Sequence, residues 1–362
     1  MMERIKNIVC GTTFGQFYCE AMNELKDEAE FCGILAAGSR RSAECAERYG
    51  VKMYTSAADL PGDIGLACVV TRSGVLGGNG TELAKELLGR GINVIQEQPV
   101  HYRDIEECAK LARKNGLFYR VGDLYKSLRN VSCFIEAARR ITEVSAPVCM
   151  DIGCASQVSY PVFEIISEVL KSSRPFAVRA GENDKPYQYA DTEIGGLPVR
   201  FTVQNQVNPD DPDNFMHYLF RLELITQHGR LRLDDVMGGV CWYNKMFVPV
   251  HGGNAADLRS GDVLSAMSCT ELCKAAEKSF SRVFTEEWIP AIAEDIRSFI
   301  SVIRASDNSS MNRYYTRTLA AARMWHSFTS ETGFPALISS DTAPQPDTDS
   351  IMQQIKEKYS EK

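Results

Sequence analysis

Between Ile5 and about Val121, short apolar β-branched runs alternate with stretches of helical period, the pattern of a parallel sheet wound by helices. The runs predict strands at Ile8–Cys10, Phe31–Ala37, Val51–Tyr54, Ile64–Val70, Ile92–Gln96 and Leu117–Val121. Helices fall between most of them. The clearest is Thr81–Leu88, where Leu83, Leu87 and Leu88 share one face and the charges another; Asp104–Lys114 repeats the pattern.

After Gly122 the grammar changes. Helices are expected over Leu128–Ile141 and Phe163–Leu170, followed by longer alternating segments, PVRFTVQNQV and HYLFRLELITQ, that read as antiparallel strands, with another short strand at Gly229–Leu233. From about Ser265 to Thr332 the period returns to helix, strongest over Trp288–Ile303 and Asn312–Phe328, and this places Cys269 and Cys273 in a helical stretch. The end from Ser339 is polar and Pro-rich and reads as flexible. The expected fold is therefore α/β plus α+β: a doubly wound parallel sheet over residues 1–122, an open, mainly antiparallel sheet domain over 123–335, and a flexible end over 336–362.

A length of 362 residues suits two cores better than one. With 44% apolar residues, 24% charged residues and a net charge of −7, the composition is that of a soluble globular protein. No Lys/Arg-rich face stands out, which argues against nucleic acid as a partner. No run approaches the length of a membrane span, and MMERIKNIVCGTTFG has no apolar core followed by a cleavage site, so the cytoplasm is the expected compartment. The 12 cysteines are scattered singly, without a Cys-x-x-Cys pair, and are expected to be reduced thiols. Asp210, Asp211 and Asp213 invite a calcium reading, but Pro209, Pro212 and the lack of EF-hand spacing favour a simple turn, so no metal is expected.

The candidate chemistry gathers at the ends of the first strands. Strand one runs into Gly11-Thr12-Thr13-Phe14-Gly15 and a helix, where glycine lets the backbone approach a pyrophosphate. This is a degenerate form of Gly-x-Gly-x-x-Gly, supported by its position at the start of a βαβ unit. Strand two ends before Ser39-Arg40-Arg41, where NAD enzymes place an acid for the ribose hydroxyls. A carboxylate there would repel a 2′-phosphate; Ser39 and two guanidinium groups bind one, so NADPH is favoured over NADH, unless both arginines are ordinary residues at a helix start. Strand four ends in Thr71-Arg72-Ser73 ahead of a loop carrying Gly77, Gly78 and Gly80, and strand five in Glu97-Gln98-Pro99, both at the edge where a dinucleotide lies.

At VIQEQPVH the chain resembles the glucose-fructose oxidoreductase (Gfo/Idh/MocA) superfamily, which carries Glu-Lys-Pro where this sequence has Glu97-Gln98-Pro99. Its sugar dehydrogenases use that lysine with an Asp-x-x-x-His on a later helix; the matching stretch here, SYPVFEII from Ser159, has no such pair. A narrower branch is similar over most of the chain, the thiazolinyl imide reductases of siderophore biosynthesis, on GSRRS, TRSGVLGGNGTELA, VIQEQPVH, the Tyr125 neighbourhood, NPDDPD and FVPVH. Gln98 departs from that branch, which has His there. The resemblance implies reduction by NADPH of a thiazoline ring to a thiazolidine, on a thioester carried by a nonribosomal peptide synthetase. It also implies a homodimer and makes His101 and Tyr125 the candidate proton donors, with the choice between them open. A positioned acid contributes roughly a hundred- to ten-thousand-fold to such a step. His217 and His251 are weaker candidates. Two other readings stay open: an oxidoreductase of the same fold acting on a sugar, polyol or free imine, and an NADPH-binding sensor without chemistry.

Overall fold

The computed structural model describes residues 3–182, 186–214, 216–248, 266–339 and 346–360. The first part is a parallel sheet of β1 (Ile5–Cys10), β2 (Ala29–Leu35), β3 (Lys52–Tyr54), β4 (Leu66–Val69), β5 (Asn93–Glu97) and β6 (Tyr119–Gly122), in the order β3-β2-β1-β4-β5-β6. The connecting helices are α1 (Gly15–Ala21), α2 (Arg40–Tyr49), α3 (Gly80–Gly89) and α4 (Tyr102–Lys114). Every residue of β4 is buried, which is why it reads as a continuous apolar run and not as an alternation. The order reverses between β1 and β4, and a doubly wound sheet opens its ligand crevice at such a switch point, outside the carboxyl ends of the strands.

The chain then forms α5 (Leu124–Ser127), α6 (Arg129–Val144), β7 (Pro147–Ala155), α7 (Ser159–Val169), β8 (Phe176–Ala180), β9 (Tyr187–Ile194), β10 (Leu197–Gln204) and β11 (Gln206–Val207). It continues through β12 (Phe220–Thr226), β13 (Gly229–Leu233), β14 (Val240–Asn244), β15 (Thr270–Cys273), α8 (Phe280–Val283), α9 (Ile289–Ala305) and α10 (Asn308–Thr332). The second sheet has the order β15-β14-β13-β12-β7-β10-β9-β8 and is antiparallel except where β7 and β10 run parallel. Strict alternation along β9 and β13 buries one face under helices and leaves the other open. Phe163 of α7, Phe201 of β10 and Phe328 of α10 form the aromatic centre beneath it, with ring centroids 4.7–5.5 Å apart.

Two expectations change. Cys273 ends strand β15 and Cys269 precedes it, so neither lies in a helix; the first helix described after β15 starts at Phe280. The stretch TELCKAAEKSF is rich in helix formers, but the free edge of β14 offers it a backbone ladder, and pairing outweighs propensity. The polar end holds regular structure: β16 (Ala336–Leu337) pairs with β11, and α11 (Thr348–Ser360) follows.

Helices α9 and α10 pack along β6, the edge strand of the parallel sheet. Tyr314 and Tyr315 of α10 close that edge. The Tyr314 hydroxyl accepts from Val121 N at 2.9 Å and donates to Val121 O at 3.1 Å, while Tyr315 does the same for Tyr119 at 3.3 and 2.8 Å. These hydroxyls stand in for a missing neighbour strand, so the backbone that leads into Asp123 and Tyr125 is held on both sides. No described helix is long and apolar enough to cross a membrane.

Candidate active site

The turn after β1 depends on Gly11. Its φ is +96°, and a Cβ there would lie 3.0 Å from the Val70 carbonyl oxygen and 3.1 Å from Thr71 Cγ2. Only glycine lets β1 and β4 approach so closely at the switch point. The first turn of α1 carries no acidic residue, and Phe14 in this turn packs on Phe17, Tyr18 and Trp288 with centroids 5.0–6.3 Å apart. At the end of β2, Ser39 is the N-cap of α2, accepting from Ser42 N at 3.3 Å. The two arginines that follow are not equivalent. Arg40 donates to Glu44 one turn on at 2.7 Å, whereas Arg41 is exposed and has no partner among the described residues.

The glycine-rich loop has an internal cause. A Cβ on Gly78 would lie 2.0 Å from the Arg72 carbonyl oxygen, and one on Gly80 would lie 2.5 Å from that of Thr71, so these glycines let the loop fold back on its own strand end. Gly77 takes φ +71° as the turn closes. Ser73 donates to the Pro99 carbonyl at 2.5 Å and ties this loop to the segment after β5.

Around the ends of β5 and β6 the structure gathers carboxyls that lie far apart in sequence. Tyr18 donates to Glu97, and Gly122 is the neighbour that leaves room for them, since a Cβ there would meet the Tyr18 hydroxyl at 2.8 Å. Asp123 Oδ1 accepts from Tyr125 N at 2.9 Å and from Gln98 Nε2 at 3.5 Å; Asp123 N donates to Asp295 Oδ2 at 3.2 Å. Arg120 pairs with Asp295 at 2.7 Å. Lys126 donates to Glu164 at 3.0 Å and faces Asp123 Oδ2 across 3.8 Å, while Thr318 donates to the other Glu164 oxygen. Carboxyls outnumber cations in this group. Burial, with Asp123 and Asp295 adding to it against the Tyr18 hydrogen bond, pushes Glu97 up to about 8; burial, with Glu164 and Asp295 adding to it against Lys126, pushes Asp123 up to about 7.

Tyr125 is 8% exposed and packs on Phe220 and Trp288 at 5.5 and 6.3 Å. Its hydroxyl has no hydrogen-bond partner among the described residues. Burial and the nearby carboxyls of Glu97, Asp123, Asp213 and Asp235 hold its phenol well above the usual range. His101 is placed differently. It caps α4, Nδ1 accepting from Arg103 N at 3.3 Å, and its ring lies 4.4 Å from Tyr102 and 4.8 Å from His326 of α10. Burial and the His326 ring push it below its ordinary value, so it is neutral at pH 7 with the ring proton on Nε2. His101 and Tyr125 share none of the ring or hydrogen-bond neighbours just given. His217 is exposed and bonded to the Tyr187 hydroxyl at 2.6 Å; His251 lies outside the described residues.

Periodicity did not reveal Tyr18, Lys126, Glu164 or Asp295. Two of them leave a signal: Glu164 interrupts the apolar run YPVFEII, and Asp295 lies on the buried face of α9 with Ile292, Ile296 and Phe299.

A dinucleotide fits these residues. Gly11 opens the crevice, and the buried oxygen Thr71 Oγ1, just after β4, lacks a hydrogen-bond partner among the described residues. Residues 5–123 match the family model described as oxidoreductase family, NAD-binding Rossmann fold. Residues 5–123 therefore carry the NAD-binding domain of the Gfo/Idh/MocA-type oxidoreductases. Residues 145–243 match the model described as thiazolinyl imine reductase Irp3-like, C-terminal. Among solved structures, GenD2 from gentamicin A biosynthesis, in complex with NAD, is 15% identical with a TM-score of 0.67, covering 92% of this chain and 95% of that one. UDP-N-acetylglucosamine 3-dehydrogenase GnnA from Acidithiobacillus ferrooxidans is 13% identical with a TM-score of 0.63, covering 92% and 100%. Biliverdin reductase from Synechocystis, in complex with biliverdin and NADP+, is 12% identical with a TM-score of 0.61, covering 91% and 99%. At these identities the likeness is one of fold. Sequence comparison with curated proteins gives no match.

Proposed function

We propose that this oxidoreductase uses NADPH to reduce the C=N bond of a thiazoline ring to a thiazolidine, on an intermediate tethered to a carrier-protein domain of a nonribosomal peptide synthetase. The observation that carries this reading is the match of residues 145–243 to the thiazolinyl imine reductase model. The site supports it: Gln98 stands where sugar dehydrogenases of the superfamily hold a lysine, and α7 presents the buried Glu164 in place of their Asp-x-x-x-His.

The cofactor residues are Gly11 to Gly15, Ser39 to Arg41, Thr71 to Ser73, the loop glycines and the backbone of Glu97 to Pro99, which leaves the Gln98 side chain free for the substrate. Arg41, exposed and unpaired, meets the 2′-phosphate first; Arg40 must leave Glu44 to join it. Bound there, reduced nicotinamide supplies hydride. The protein supplies the proton. Tyr125 is the better-placed donor, because its hydroxyl has no partner among the described residues and its backbone is tied to the Asp123 that holds Gln98, whereas the His101 ring packs on Tyr102 and His326. Residues 123–335 form the substrate domain in this reading, its open sheet face the place for a second copy of the chain, and the cytoplasm the compartment. The test is NADPH oxidation with a carrier-bound thiazoline against a panel of sugars and polyols. Turnover with the thiazoline alone is expected; turnover with a sugar alone would overturn the proposal.

A further inference from the structure

Gln98 is held by one end. Its Nε2 donates to Asp123 Oδ1 at 3.5 Å, and that carboxylate is itself fixed by Tyr125 N at 2.9 Å. The other end, Oε1, is a buried acceptor with no donor among the described residues. An unpaired buried acceptor is destabilising, and the structure tolerates it where a ligand brings the missing N–H or O–H. Gln98 is partly exposed, so its amide lies within reach of a ligand in the cleft.

Resting on the reading above, we propose that Gln98 Oε1 accepts the N–H that forms on the ring during reduction, and that this choice of residue favours C=N over C–OH substrates. In the reaction the ring carbon gains hydride, the π pair of the C=N bond moves onto nitrogen, and nitrogen takes the Tyr125 hydroxyl proton; water then reprotonates the phenolate. Where proton transfer to nitrogen leads hydride transfer, the nitrogen carries a donor and partial positive charge, and once the hydride has arrived it is left as a neutral N–H. A neutral carbonyl oxygen binds that group. A lysine ammonium at the same position would present donors to a donor and repel the charge, although it suits the oxygen of an alcohol.

The test uses the intact protein and the variants Gln98→Met, which keeps the shape without the acceptor, and Gln98→Lys. Thiazolidine is titrated into each NADP+ complex by calorimetry, NADPH affinity is measured by fluorescence, and single-turnover reduction of 2-methylthiazoline is followed by stopped flow. Loss of one hydrogen bond between neutral groups corresponds to about a 2- to 10-fold change. Gln98→Met is expected to weaken thiazolidine and slow the single turnover by that factor, Gln98→Lys by more, with NADPH affinity within about twofold of wild type. Unchanged thiazolidine affinity in Gln98→Met, in an enzyme that does reduce the ring, would overturn the role of Gln98 and leave the proposed function standing. A loss confined to NADPH affinity would make Gln98 a cofactor ligand instead. A wild-type enzyme that neither reduces nor binds the ring would remove both proposals.

Discussion

If the proposed function holds, replacing Arg41 by Ala should separate the two nicotinamide cofactors. The guanidinium stands at the start of α2 with no carboxylate to leave, so its full capacity is available to a 2′-phosphate. A charge-assisted hydrogen bond contributes about 1.5–3 kcal/mol net, which is roughly 10- to 150-fold in a dissociation constant. Arg40 must first break its exposed pair with Glu44, whose strength for such an i,i+4 contact is only about 0.3–0.5 kcal/mol. Arg40→Ala should therefore cost up to about twofold less than Arg41→Ala, and Glu44→Ala, which frees Arg40, should tighten NADPH slightly. NADH has no phosphate at this position and should bind every variant alike. Fluorescence titration of both cofactors measures this, and repeating it at higher salt should narrow the NADPH advantage as screening weakens the contact. An NADPH-to-NADH affinity ratio unchanged in Arg41→Ala would refute the assignment.

Other outcomes follow from the same geometry. Tyr125→Phe should lower kcat by roughly a hundred- to ten-thousand-fold with NADPH affinity intact; His101→Asn, which keeps an N-capping acceptor, should keep most of kcat, and a large loss there would make the imidazole the donor. Because Glu97 is pushed up to about 8 from an ordinary 4.5, the folded protein binds the extra proton between those values, so stability falls as pH rises through this window. Glu97→Gln should flatten the fall in Tm between pH 5 and 8, and an unchanged slope would remove Glu97 as its source. Tyr314→Phe leaves Val121 N and O unpaired at the edge of β6 and should cost about 1–3 kcal/mol in urea unfolding; no change would mean water satisfies that edge.

The parallel half was legible in the sequence because its strands are short, buried on both faces and punctuated by glycine: β4 reads as a bare apolar run, and Gly11 marks the crevice by the conformation it must take. The second sheet was legible only where alternation is clean, as in β10, β12 and β13. β7 mixes Pro, Asp and Gly into a central strand, and β15 looks helical until β14 pairs with it; in both, long-range ladders decide. The site divides the same way. The turns proposed to hold the nucleotide are local and visible, whereas Glu97, Asp123 and Asp295 meet only because α9 packs over the end of β6, joining positions 172 residues apart.

The most direct measurement follows the hydride itself. The protein is given NADPH deuterated at the transferred position together with a carrier-bound thiazoline, and the released ring is examined by mass spectrometry. One deuterium on the former C=N carbon is expected. A ring that returns unlabelled and unreduced, while NADPH is consumed by a sugar or a polyol, would contradict the proposed function.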